Sequence, residues 1–212
     1  MWPDSGETQE LIARAKQGDA DAVARLLDRH RDALRRMIDL RLDRQIERRV
    51  DASDIVQDVL VDANRRLASY LESPDMPFHL WLRHMAKDRL IDAHRRHRGA
   101  ARRSVSREQS LQAPAMPDES ALDLAAQLRD HREMTPATAA TRHELEARFL
   151  AAVDQLEEVD REVILMRHFE HLSNQEVARS LGLSEPAAGM RYLRAVRRLR
   201  VLLNEPESES SS

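Results

Sequence analysis

Two sets of charged residues recur at helical intervals. Asp51, Asp54, Asp58 and Asp62 stand at i, i+3, i+7 and i+11, and Arg191, Arg194 and Arg198 at i, i+3 and i+7 behind Ala187. Side chains so spaced share one helix face, which predicts a ladder of carboxylates and a row of guanidinium groups. Neither set is suited to catalysis. The ladder has no histidine partner for acid/base work and no glycine-bearing loop of the calcium-binding kind. The pairs His94/His97 and His168/His171 have an i, i+3 spacing, but no third ligand accompanies either, so no metal site and no cofactor are expected. The chain also has no cysteine, which removes thiolate ligands, thiol nucleophiles and disulfides and suits a reducing cytoplasm.

What remains is binding chemistry. Like charges at i, i+3/i+4 repel by a few tenths of a kcal/mol per pair, a cost that a basic partner would offset. The helix dipole accounts for acidic residues in a first turn, here Asp51 and Asp54, but not for Asp58 and Asp62. The arginine row suits a helix whose first turns enter the major groove while later guanidinium groups hold phosphates.

The elements that position these sets read as helices throughout. Aromatic residues make up 3% of the 212 residues and glycine occurs 5 times, a composition of helical proteins. Glu7–Gln17 predicts a short helix stopped at Gly18-Asp19, and Ala20 to Leu42 a long amphipathic one. Asp43–Val50 reads as a polar break, and the ladder helix runs from Asp51 to Tyr70. After the loop 71–77, Phe78–Arg98 predicts a helix with Phe78, Trp81, Leu82, Met85, Ala86, Leu90 and Ala93 inward and Arg83, Lys87 and His94 on an outer line. Further on, Thr135–Leu156 and Asp160–Phe169 predict two more helices. Ser173 with Glu176 is a capping box, and Gly182 can turn left-handed. Ser184 can cap a last helix that tolerates Pro186 and carries the apolar stripe Ala188, Tyr192, Ala195, Val196, Leu199 and Leu203. This pair is a helix-turn-helix.

The fold expected is all-α, with two small helical domains at 1–98 and 136–203. A linker at 99–135 and a disordered acidic, Ser-rich tail at 204–212 complete the chain. The Ala-, Ser-, Gln- and Pro-rich stretch Gly99–Ala140 could extend to about 140 Å, with a short helix within Asp118–Met134. The net charge of −3 is far from that of a simple nucleic-acid binder, but basic residues bunch at Arg95, Arg96, Arg98 and Arg191–Arg200. One surface for DNA and another for a basic protein are therefore expected. No signal peptide and no membrane-crossing apolar run is found.

Taken together, these motifs resemble the sigma factors of the sigma-70 superfamily, in the compact extracytoplasmic-function (ECF) group. The resemblance rests on Gly18-Asp19 before a long helix, the run Asp51-Ala52-Ser53-Asp54-Ile55-Val56-Gln57-Asp58, and Phe78, Trp81-Leu82, Ile91-Asp92 and Arg95-Arg96. Leu156, Arg161-Glu162-Val163 and the helix-turn-helix complete it. It implies a region 2 bundle and a region 4 helix-turn-helix, and a cytoplasmic, nucleoid-associated bacterial protein without enzymatic activity. The ladder segment, Asp51, Asp54, Ile55, Gln57, Asp58 and Asp62, would then dock on the β′ clamp helices of core RNA polymerase. Ser73, Arg83, Lys87, Asp88, Arg95 and Arg96 would meet the −10 element, with a loop pocket taking a base flipped from the non-template strand. Ser184, Glu185, Ala187, Arg191, Arg194 and Arg198 would read the −35 duplex beside the β flap. By the same resemblance the linker threads the active-site cleft, and an anti-sigma factor would be a further partner. A stand-alone helix-turn-helix regulator is the alternative. Asp88 departs from the family's usual Asn, and Gly189 inside the recognition helix suggests a close backbone approach to DNA.

Overall fold

The computed structural model describes residues 1–42, 51–101 and 147–204, with side chains to residue 96 in the second of these stretches. The expected break at Asp43–Val50, the linker beyond Ala101, the start of the Thr135 helix and the tail after Asn204 lie outside the described residues, α4 running three residues into the expected linker. The chain divides into two compact units, Met1–Leu111 and Gln112–Ser212.

Unit 1 holds α1 (Ser5–Lys16), α2 (Ala20–Asp39), α3 (Ala52–Glu72) and α4 (Phe78–Ala101). Gly18 adopts φ 85°, where a side chain would be strained. It turns the chain so that Asp19 caps α2, accepting from the Ala22 N–H at 3.0 Å, while the other carboxylate oxygen takes Arg14. The apolar stripe of α2 then lies against α3, burying Leu26, Leu34 and Ile38 completely. From α3 come Ile55, Val56, Val59 and Ala63, at the i, i+1, i+4, i+8 spacing that keeps one face inward. Each large aliphatic side chain buried this way contributes about 1.5–3 kcal/mol.

The top of the bundle is aromatic. Phe78 opens α4 at 1% exposure, edge-on to His30 of α2 at 5.1 Å and to Tyr70 of α3 at 5.4 Å. Trp81 stacks on Tyr70 at 4.7 Å, packing against the core while staying partly exposed. The Tyr70 hydroxyl donates to the Met76 carbonyl at 2.9 Å. This bond fixes the α3–α4 loop to the helix that precedes it.

Unit 2 comprises α5 (147–153), α6 (Glu158–His168), α7 (Asn174–Leu181) and α8 (Glu185–Asn204). The helix expected to reach Leu156 stops three residues short. There the Gln155 and Leu156 N–H groups bond to Ala152 and Val153 carbonyls, tightening the chain into turns before α6. Buried Val163, Ile164, Leu165 and Met166 make α6 the centre of this unit.

His30 carries the main polar conflict in the unit 1 core. Fully buried, it donates from Nδ1 to the Leu26 carbonyl at 2.8 Å, leaving Nε2 without a partner. Burial pushes its pKa down to about 4, and His79 and Arg29 add to the effect. A folded value below the unfolded 6.5 means the unfolded chain binds this proton first as the pH falls. Stability conferred by neutral His30 is thus complete above pH 6.5 and is lost progressively toward pH 4. The loss amounts to about 3 kcal/mol from this group. Urea unfolding of the wild type against His30→Gln should give curves that diverge below pH 6.5, the variant showing the shallower decline.

Candidate functional site

The turn between α7 and α8 forms from local chemistry. Ser173 Oγ accepts from the Glu176 N–H at 3.2 Å, and the Glu176 carboxylate accepts from the Ser173 N–H at 2.7 Å. At the other end Gly182 is left-handed, φ 65°, and the Leu183 N–H returns to the Ala178 carbonyl at 2.9 Å. Ser184 Oγ then accepts from the Ala187 N–H at 3.3 Å, opening α8. Asn174 of α7 donates to the Glu185 carbonyl at 2.9 Å, joining the two helix starts. Ala188, Ala195, Val196 and Leu199 face inward, while Tyr192 packs beside His168 and beneath Arg167.

The outer face of α8 presents Arg194 and Arg198, both exposed. Arg191 differs. Its Nη1 lies 3.1 Å from Asp160 Oδ1 of α6, with the aspartate side chain only 15% exposed. The row predicted from spacing is therefore one domain-internal ion pair followed by two solvent-facing cations. Ser184 and Glu185 are exposed and Ala187 half-exposed. At Gly189 a Cβ would meet Asn174 of α7 at 3.8 Å, an ordinary contact within the unit.

The ladder on α3 is likewise divided. Asp51 is the N-cap, accepting from the Ser53 N–H at 2.8 Å, and that hydrogen bond holds its carboxyl below the usual range. Asp62 forms an ion pair with Arg89 of α4, whose hydrogen bond lowers the Asp62 pKa. Asp54, Gln57 and Asp58 are exposed, and neither Asp54 nor Asp58 makes an ion pair among the described residues. Ile55 corrects the expected docking set, since at 6% exposure it belongs to the core. Beside Gln57 a cleft of about 640 Å³ runs between α2 and α3, with Arg25 and Arg31 on one wall and Val61 and Arg65 on the other.

On α4 the expected outer line fails at its first member. Arg83 is 1% exposed, on a stretch of α4 where Leu80, Leu82, Met85 and Ala86 are buried with it. Arg83 thus lies in the interior rather than on a strand-binding face. Lys87 and His94 are half-buried, while Ser73, Asp88, Arg95 and Arg96 are exposed. Asp88 makes no ion pair among the described residues, and neighbouring Arg89 is engaged by Asp62. A second hollow of about 300 Å³ lies against the α3–α4 loop, formed by Pro74, Met76 and Pro77, Tyr70 and Leu71, and Gln9, Ile12 and Lys16 of α1.

The contribution of α1 was missed from the sequence, since only long-range packing brings it there. Val61 could have been found: it is an apolar residue on the ladder side, three after Asp58, and is 43% exposed. Among the described residues no cluster of three or more His, Cys, Asp or Glu could hold a metal, and no helix is long and apolar enough to cross a membrane.

The described residues thus form an acid-faced helical bundle in one unit and a helix-turn-helix in the other. Residues 24–100 match the model of sigma-70 region 2, and residues 146–199 that of sigma-70 region 4. Similar along nearly the whole chain is the RNA polymerase sigma factor CnrH of Cupriavidus metallidurans, 30% identical over 92% of this chain and 93% of its own length. The ECF RNA polymerase sigma factor BldN of Streptomyces coelicolor is 28% identical over 94% of this chain and 67% of its length. The solved structure of CnrH in complex with the cytosolic domain of CnrY superposes with a TM-score of 0.58 at 26% identity, covering 93% of this chain and 97% of that one. The sigma factor RpoE of Bartonella quintana, solved with the anti-sigma factor NepR, shares the fold at a TM-score of 0.53, with 20% identity over 82% of this chain and 91% of that one. The chain belongs to the sigma-70 family, in its ECF group. It is a promoter-specificity subunit that joins core RNA polymerase and directs transcription initiation.

Gly189→Ala should raise the stability of unit 2 by about 1 kcal/mol, the helix-propensity difference, read as a higher midpoint in urea unfolding.

Proposed function

We propose that α3 docks on the β′ clamp helices through Asp54, Gln57 and Asp58, with Asp51 and Asp62 serving the fold. The observation that carries this reading is the pair of exposed carboxylates, Asp54 and Asp58, which make no ion pair among the described residues on a face where Asp62 is already neutralised. Unit 1 also opens the −10 element. Ser73 and the hollow at the α3–α4 loop take a flipped base of the non-template strand, while Lys87, Arg95 and Arg96 hold its phosphates. Unstacking that base costs a few kcal/mol, which stacking and polar contacts in the hollow offset.

Unit 2 reads the −35 duplex through Ser184, Glu185 and Ala187, with Arg194 and Arg198 on phosphate and the β flap beside it. Arg191 stays with Asp160 and orients α8. The solved complex of CnrH with the cytosolic domain of CnrY supports an anti-sigma factor as a further partner. Nucleotidyl transfer belongs to the polymerase, and the chain works in the bacterial cytoplasm.

Asp54→Lys/Asp58→Lys should abolish comigration with core RNA polymerase while leaving the circular dichroism spectrum unchanged. Unaltered affinity would overturn the clamp assignment. Arg194→Ala should weaken promoter binding and reduce the slope of log affinity against log salt by about 1. Asp88→Asn, which removes a negative charge beside the strand, should strengthen holoenzyme binding to a −10 non-template oligonucleotide severalfold, as read by fluorescence anisotropy.

A further inference from the structure

The outer face of α8 begins with an apolar patch. Met190 is 57% exposed, more than any other large apolar side chain among the described residues except Met1. It stands three residues after Ala187 and four before Arg194, which places it between them on one helix face. The next residue, Arg191, is held by Asp160, so the first cation on this face without an ion pair among the described residues is Arg194, a full turn further on. The leading turns thus offer the Ala187 methyl and the Met190 thioether, without a side-chain hydrogen-bond donor between them.

Helices of this kind contact base edges with their first turns and phosphates with later ones. A methionine can neither donate to nor accept strongly from a base edge. What it can fill is apolar volume, and its flexible, polarizable chain adapts to the shape it meets. On the floor of the major groove of unmodified DNA the one apolar group is the 5-methyl of thymine. We infer that Met190, together with Ala187, is a specificity-determining residue that reads a thymine methyl group in the −35 duplex. The inference rests on α8 being the duplex-reading helix.

The test uses the full chain assembled with core RNA polymerase and a duplex pool randomised across the −35 window. Each thymine of the enriched duplex is then replaced in turn by deoxyuridine, which lacks only the methyl group. At one position uracil should weaken wild-type binding about fourfold, the value of one buried methyl. Met190→Ala should bind the thymine and uracil duplexes equally, and Met190→Leu should keep the thymine preference. Uracil tolerated at every position, or discriminated equally by wild type and Met190→Ala, would overturn the inference. So would a Met190→Ala variant that assembles poorly with polymerase yet retains the thymine preference, which would make Met190 a protein contact. Failure of the pool to enrich any −35 sequence would instead remove the assignment of α8 on which the inference stands.

Discussion

The architecture of unit 1 depends on how the start of α4 packs into the bundle. Phe78 is wedged between His30, Tyr70 and Trp81, and this aromatic contact fixes where α4 leaves α3. From it follow the enclosure of Arg83, the reach of Arg89 to Asp62, and the position of the loop held by Tyr70. Aromatic pairs of this geometry add about 0.5–1.5 kcal/mol beyond burial alone. Their directionality matters as much, because a rotation of α4 would expose Leu80 and Arg83 together.

A protein of this family must bind two unlike surfaces, core RNA polymerase and promoter DNA, with a chain of net charge only −3. Both units meet that demand by spending some charges internally and leaving others free. Arg89 and Asp62 neutralise each other between α4 and α3, and Arg191 and Asp160 do so between α8 and α6. The charges left over, Asp54 and Asp58 in one unit and Arg194 and Arg198 in the other, face solvent. Such a division keeps like charges few on each helix while retaining a local field strong enough to steer a partner.

Much of this was legible in the sequence because it is local. The capping box at Ser173 and the left-handed Gly182 specify the helix-turn-helix within a dozen residues, and the α8 stripe follows a simple period. The two regions of the family could be named from such motifs. Charge placement was less legible. Spacing shows that Asp62 and Arg191 share a face with their neighbours, but not that Arg89 or Asp160 lies across from them, since those partners are 27 and 31 residues away. Arg83 misled for a related reason: periodicity places a charged side chain on the solvent side, whereas the first turns of α4 bury Arg83 along with Leu80 and Leu82. Ile55 was placed on the docking surface by resemblance, whereas its own spacing with Val59 already put it inside.

The pairing of Asp62 also gives α3 an electrostatic polarity. Asp54 and Asp58, exposed and without an ion pair among the described residues, lie toward its N-terminal half, and the negative charge is offset where Arg89 meets Asp62. A basic surface sliding along this helix would encounter a gradient rather than a uniform rail, with a single resting position. In the docking proposed for α3, this one ion pair would set the register in which the two surfaces meet.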